Sequence, residues 1–414
     1  MDHTVNPKES RLSRLGISPV FVIAMTMFID MTGFGMVIPI LPFHPETAEA
    51  GAFALGMLIG SFSLMQFVFS PLLGRLSDKV GRKPVLLVSI LSSLISFILF
   101  AVANSFLLLL VSRIIAGMAT EAGVAQAYIA DITTEADRAT GMGRVGAAHG
   151  AGFIAGPAIG GLLSVYGLST LGFAAAVLNG INLLSAFLFL PESNVHIQKF
   201  ATSDDGYWHK LMKALTKPLI DAIFIILFLI TLAFSAIPVI VPLLGIAFFG
   251  FSEVEMSYFF MYIGVVQIVV QGVLIGRLTK RWGEEKLIIL GSLLMMLGVF
   301  FMPLIPHLVV FFASITLFSS GFGILGTVLF SFISRRTAGD EQGGMLGVAQ
   351  SVGSIARIPG PLVGGLVAEF AGLNVSFLLS AALVMICFFL GFKLFRAHRF
   401  RGQQTEGLVT KPRR

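Results

Sequence analysis

Four ionisable residues stand inside long apolar runs of this 414-residue sequence: Asp30, Arg113, Glu121 and Arg357. At the middle of a bilayer each would cost about 2.5–3.5 kcal/mol on insertion scales, so such residues mark ion pathways, proton relays or ligand counter-ions. A carboxyl group held between a low dielectric and a nearby cation changes protonation with solvent access. That is the behaviour a proton coupler needs. Asp30 falls about 12 residues into its run, or about 18 Å along a helix at 1.5 Å per residue. Arg113 falls at similar depth in another run, so the two are expected to pair. Glu121 follows Arg113 by about two helical turns on roughly the same face, where it can bind a cationic cargo or pass protons inward. Arg357, in Ser354-Ile355-Ala356-Arg357-Ile358-Pro359-Gly360-Pro361, suits either an anionic group or the carbonyls that the prolines leave unbonded. For Asp30, Arg113 and Glu121 a static ion network that fixes helix packing is the competing reading.

These residues need helices that cross a membrane. The chain is 56% hydrophobic and only 12% charged, with a mean hydropathy of +0.91. Soluble domains carry about 25% charged residues, so most of this exterior must face lipid. A helix needs roughly 20 apolar residues to span the hydrocarbon core. By that measure the apolar runs are 18–42, 52–75, 84–103, 105–130, 143–166, 169–190, 218–243, 254–277, 286–305, 308–333, 344–369 and 373–395. The polar start of the chain and the length of the first run argue against a cleavable signal peptide. Cys387 is the single cysteine, so no intrachain disulfide forms.

Lys and Arg concentrate in alternate loops. They fall in the N-terminal tail, at Arg75, Lys79, Arg82 and Lys83, at Arg138 and Arg144, between Lys199 and Lys217, at Arg277 to Lys286, at Arg335 and Arg336, and after Lys393. The positive-inside rule then places both termini in the cytoplasm. The same distribution explains the net charge of +6 without any nucleic acid.

The chain divides into a tail (1–17), a six-helix half (18–190), a cytoplasmic linker (191–217) with an amphipathic helix near 207–215, a second half (218–395) and a basic tail (396–414). The halves echo one another. Gly74-Arg75-Leu76-Ser77 returns as Gly276-Arg277-Leu278-Thr279, and Gly156-Pro157-Ala158-Ile159-Gly160-Gly161 returns as Gly360-Pro361-Leu362-Val363-Gly364-Gly365. Both pairs share nearly one offset, as a duplication requires, and parallel repeats are a transporter architecture.

Gly74-Arg75-Leu76-Ser77-Asp78-Lys79-Val80-Gly81-Arg82-Lys83 resembles the loop signature of the major facilitator superfamily. Asp78 there can pair with cations and helix-end dipoles at the cytoplasmic rim. The second copy has Lys280 where the first has Asp78, so a latch there must be weaker or chemically different. Leu110-Val111-Ser112-Arg113-Ile114-Ile115-Ala116-Gly117 is similar to a superfamily motif whose arginine takes part in proton coupling. Gly152-Phe153-Ile154-Ala155-Gly156-Pro157-Ala158-Ile159-Gly160-Gly161 resembles the antiporter motif of the family's twelve-span drug:proton exporters, with Pro157 expected to bend the span. Asp30 with Gly33-Phe34-Gly35-Met36-Val37-Ile38-Pro39-Ile40-Leu41-Pro42, and Ala127-Tyr128-Ile129-Ala130-Asp131-Ile132-Thr133, look like the tetracycline-exporter-like branch.

The resemblance implies an all-α membrane protein of two pseudo-symmetric six-helix bundles around a central cavity, acting as a monomer in the cell membrane. It implies proton-coupled export of a lipophilic or drug-like small molecule by alternating access. Proton coupling would fall to Asp30, Arg113 and Glu121. Gln66, Gln126, His149, Gln267, Gln271 and Arg357 would bind substrate, while Asn179 and Asn182 would serve packing. Gly74, Asp78, Gly81, Arg82, Gly152, Gly156, Pro157, Gly160, Gly360 and Pro361 would serve gating. No cofactor or metal is expected. No phosphate-binding Gly-Lys-Ser/Thr loop, His-Glu-x-x-His or Gly-x-Ser-x-Gly motif occurs, which argues against an enzyme or an ATP-driven pump. The alternatives are a carrier of a sugar, metabolite or lipid, with or without protons, and a non-transporting membrane receptor.

Overall fold

The computed structural model describes residues 18–194, 220–337 and 342–409. The N-terminal tail, the linker beyond Asn194 with its expected amphipathic helix, and the last five residues lie outside the described residues. Helices are the only regular structure among those described. In lipid this follows from the backbone, because a helix satisfies its own N–H and C=O groups where no water can.

The first helices are α1 (Pro19–Val37), α2 (Pro45–Val80), α3 (Arg82–Ala101), α4 (Phe106–Met118), α5 (Ala122–Ile132), α6 (Glu135–Ser164) and α7 (Leu168–Phe189). The chain continues with α8 (Ile220–Phe249), α9 (Glu253–Ile268), a π-helical turn (Val269–Leu274), α10 (Ile275–Trp282) and α11 (Glu284–Phe301). The last are α12 (Leu308–Arg335), α13 (Gln342–Ala356), α14 (Pro359–Phe370) and α15 (Leu373–Val409). Among the described residues eleven segments are long and apolar enough to cross a membrane. The span expected at 286–305 is the exception: α11 has 18 residues and opens with Glu284, Glu285 and Lys286, so its apolar part is short. The final helix runs past 395 into the basic segment.

Two expected spans are interrupted. The fourth breaks between α4 and α5, at Ala119 to Glu121, with Gly117 and Gly123 on either side. The eleventh breaks at Arg357 and Ile358, where Pro359 and Pro361 remove two helical donors and crowd the preceding turn. Such gaps put polar backbone at membrane depth, which is tolerated where protein buries it or a cavity reaches it. By contrast α6 is assigned as one helix through Pro157.

Packing sorts the chain into two compact units, Met1–Thr202 with Val241–Gly264, and Ser203–Ile240 with Val265–Arg414. In the first, Val22, Ile23 and Met27 of α1 pack with Val85, Leu86, Val124, Tyr128 and Ile129. Lipid supplies no hydrophobic drive between helices, so close backbone approach and hydrogen bonds must hold them. Gly152, Gly156 and Gly160 provide the approach. A Cβ on Gly156 would lie 2.6 Å from the carbonyl oxygen of Thr32, and one on Gly160 would lie 2.9 Å from that of Met36. A Cβ on Gly152 would clash with the carbonyl of Phe28. Thr26 Oγ1 donates to Asn182 Oδ1 at 3.0 Å, tying α1 to α7, and Asn179 Nδ2 donates to the Ala175 carbonyl within α7. Segment 241–264 joins this unit through similar contacts. Positions that Cβ atoms would take on Gly161 and Gly264 lie 2.8 Å from Ser257 Cβ and from Ile154 Cγ1, respectively.

The second unit repeats the device. Gly360 of α14 abuts Ser235 and the Leu232 carbonyl of α8, and Gly364 leaves a Cβ position 3.0 Å from that of Ala236. These contacts match Gly156 and Gly160 on α1, helix for helix. Gly291 of α11 and Gly321 of α12 also meet backbone to backbone. Cys387 is buried and unpaired.

Candidate functional site

Two clusters in the first unit gather most of the charged residues singled out by sequence. The deeper one lies where α1 passes the break between α4 and α5. Asp30, on α1, is half-buried, and its carboxyl group lies within hydrogen-bonding reach of that of Glu121, the residue that precedes α5. Glu121 is 1% exposed. Its Oε1 accepts a 3.4 Å hydrogen bond from Ser93 Oγ of α3, and its Oε2 receives none from any N–H or hydroxyl donor. Two carboxylates cannot bond one another, since both only accept. A proton held between them would join the pair and relieve like-charge repulsion in a medium of low dielectric.

The expected Asp30–Arg113 ion pair is not formed. Arg113 is 3% exposed and donates from Nε to its neighbour Ser112 Oγ at 3.3 Å. Its guanidinium carbon lies 5.3 Å from the Phe100 ring centroid, and Nη2 has no hydrogen-bond partner. The physical reason is the helix break. It turns the Glu121 carboxyl toward Asp30, while Arg113 remains on α4 and faces α3. Sequence depth located all three residues; it could not show which helix face the break would re-aim.

The second cluster sits where α2 meets α3. Gly81 has φ +104°, a left-handed conformation open to glycine at little cost. A Cβ there would lie 2.5 Å from Glu192 Oε2. Glu192 bonds the first free N–H groups of α3, with Oε1 accepting from Arg82 N at 2.7 Å and Oε2 from Lys83 N at 3.1 Å, which complements the helix dipole. Arg82 reaches three groups: Asp78 Oδ1 at 2.5 Å, Asp131 Oδ2 at 3.0 Å and Ser77 Oγ at 2.7 Å. Asp78 and Arg82 thus pair as the loop signature implies, while Gly74 has open space around it. Ser77, Asp131 and Glu192 had been given no role by sequence. Ser77 and Asp131, each inside a quoted motif, carried a signal; Glu192 carried none.

The corresponding corner of the second unit inverts the charges. Gly283 also has positive φ, +78°. There the acids lie on the later helix of the corner and the arginines across from it. Glu284 Oε1 meets Arg335 Nε at 3.4 Å and accepts from Ser331 Oγ at 2.6 Å, and Glu285 Oε1 meets Arg336 Nη2 at 3.1 Å.

The polar residues nominated for cargo divide between the two units. Gln66 and His149 are half-buried and Gln126 is exposed, all in the first unit. In the second, Gln271 lies in the π-helical turn beside Gly323, and Gln267 Nε2 is buried without a hydrogen-bond partner. Arg357 occupies the α13–α14 break, and its Nη2 donates to Ser354 Oγ at 3.3 Å rather than to a proline-freed carbonyl. An open groove of about 570 Å³ between α3 and α7, lined by residues such as Leu87, Leu91, Leu94, Gly180, Leu184 and Phe187, is almost wholly apolar. It offers nothing to orient a polar ligand. Among the described residues no group of three His, Cys, Asp or Glu side chains is placed to hold a metal.

Sequence and structure comparisons agree with this anatomy. The sequence profile of the Major Facilitator Superfamily matches residues 23–361. The chain is 32% identical over 384 residues to the tetracycline resistance protein, class C, of Escherichia coli, covering 89% of this chain and 95% of that protein. It is 28% identical over 378 residues to multidrug resistance protein 2 of Bacillus subtilis, covering 89% and 92%. Among solved structures, the human organic anion transporter MFSD10 aligns with a TM-score of 0.66 at 25% identity, over 94% of this chain and all of that one. The nucleoside transporter NupG shares the fold at 17% identity, with a TM-score of 0.74 over 92% and 99%. The family match over most of its length and these relatives place the chain in the major facilitator superfamily, as a multi-pass membrane transporter and not an enzyme.

Proposed function

We propose that this chain is a proton-coupled exporter of amphipathic, drug-like small molecules, with the Asp30–Glu121 pair as its proton carrier. One observation carries the reading: two acids at membrane depth stand within hydrogen-bonding reach of one another, and a shared proton is what would join them. Asp30 is the half-buried member and exchanges the proton with water; Glu121 and Ser93 hold it from behind. Loss of the proton leaves two like charges in a poor solvent for either. That state persists only when water or cargo reaches the pair, so protonation and access are linked. A proton entering down the potential supplies about 2.3 kcal/mol per 100 mV.

The carrier works as a monomer in the cell membrane with both termini cytoplasmic. Alternation is between halves spanning 18–190 and 218–395, with the Gly81–Arg82 corner, the α6 glycines, Pro157 and the Gly360–Pro361 turn as moving joints. Gln66, Gln126, His149, Gln267, Gln271 and Arg357 contact cargo. Relatives named for resistance to tetracycline and to multiple drugs support this cargo class. The test is pH-driven accumulation of tetracycline and a panel of lipophilic dyes in inside-out vesicles. Asp30→Asn and Glu121→Gln should each lower it at least tenfold while protein reaches the membrane. Unchanged accumulation by both variants removes the pair from the mechanism.

A further inference from the structure

Charge balance within the spans bears on the cargo itself, an inference that rests on the export reading above. Arg357 stands at the middle of the 26-residue span Met345–Phe370. Among the described residues no carboxylate lies within ion-pair distance of it, and its side-chain hydrogen bond goes to the neutral hydroxyl of Ser354 at 3.3 Å. The residue is exposed at the α13–α14 break. The α13–α14 break that exposes it is fixed by Pro359, Pro361 and the abutment of Gly360 on Ser235. One residue from Ser235, Phe234 stacks on Phe322 with ring centroids 3.7 Å apart, so aromatic surface is at hand on α8. Arg113 also lacks an acidic partner, and the acids at membrane depth, Asp30 and Glu121, satisfy one another. An unmatched guanidinium at this depth is costly, and a bound anion offsets that cost.

We propose that Arg357 is the counter-ion for the anionic group of the cargo, and that the exported class is lipophilic organic anions carrying a carboxylate or sulfonate. Planar, bidentate recognition of such groups is what a guanidinium does well and an ammonium does less well. Export of an anion against an entering proton moves charge in the same sense twice, so an inside-negative potential drives the cycle through both partners.

The test uses two xanthene dyes of opposite charge, fluorescein and rhodamine 6G, with the purified full chain. Equilibrium binding is measured without a gradient, and accumulation is measured in inside-out liposomes with a pH gradient. The unaltered protein should bind and accumulate fluorescein in preference to rhodamine 6G. Arg357→Gln should weaken fluorescein binding at least tenfold, with Arg357→Lys in between. Binding that depends on Arg357 without pH-driven accumulation leaves this inference standing and overturns proton coupling. Accumulation of rhodamine 6G over fluorescein, or fluorescein binding indifferent to Arg357→Gln, overturns the anion assignment and leaves coupling intact. Phosphatidylcholine liposomes with and without phosphatidylglycerol separate cargo from lipid. If Arg357 alters only the need for the anionic lipid, its occupant is a headgroup and the assignment fails. Should Arg357→Gln not fold, a fluorescein KM unchanged in Arg357→Lys overturns it equally.

Discussion

Glu121 and His44 are both nearly inaccessible to solvent, at 1% and 6% exposure, and both leave a polar atom unbonded, but they differ in what they can do. Glu121 has a second acid beside it and so can share a proton. His44, in the connection between α1 and α2, has an unpartnered Nδ1 and packs 5.9 Å from the Phe100 ring. Burial holds its imidazole below the ordinary value of 6.5, against the opposing pull of Glu46. Below pH 6.5 the unfolded chain therefore binds a proton that the folded chain resists, so acidification removes stability there; above it, both are neutral and the contribution is complete. The melting temperature in detergent should fall between pH 7 and pH 5, and His44→Gln should flatten part of that fall. A slope unchanged by the substitution would assign the pH dependence to other groups.

The pairing of α1 with α6 depends on three glycines spaced one turn apart, each facing a backbone carbonyl of α1. Backbone cannot move aside as a side-chain tip can. Gly156→Val should therefore separate the helices and destabilise the protein by about 1–3 kcal/mol, the usual range for overpacking. It would be read as a lower melting temperature with loss of export. Gly150, on the same helix with open space around it, is the control: Gly150→Ala should leave melting unchanged or slightly raised, since alanine favours a helix by about 1 kcal/mol. Equal effects at the two positions would mean that close approach to α1 does not hold α6 in place.

Across the molecule, the two halves solve one problem with opposite charges. At the first corner a nearly buried arginine gathers two aspartates and a serine; at the second, glutamates on the later helix meet arginines, one of them 70% exposed. Removing one partner of a buried pair costs about 3–5 kcal/mol, whereas exposed pairs contribute about 0–1 kcal/mol. Arg82 falls between these limits, because its side chain is 11% exposed while Asp78 and Asp131 are 61% and 28% exposed; Arg82→Met should destabilise the protein by about 2 kcal/mol, and Arg335→Met by no more than about 1 kcal/mol. Similar losses in a melting or denaturant assay would show that the corners are energetically equivalent.

The sequence by itself determined the membrane helices, their near-twofold repetition and the family, because apolar length, loop charge and glycine spacing are local properties. It also singled out Asp30, Arg113, Glu121 and Arg357, since a charge in an apolar run needs no fold to be conspicuous. Tertiary structure alone decided their partners. Which acid Asp30 meets depends on the break at Ala119–Glu121, which re-aims a side chain that simple helical periodicity would have left on the face of Arg113. Glu192 and Ser93 were illegible for a similar reason. An ordinary polar residue near a helix end or on a helix face acquires its role only when another helix is brought against it.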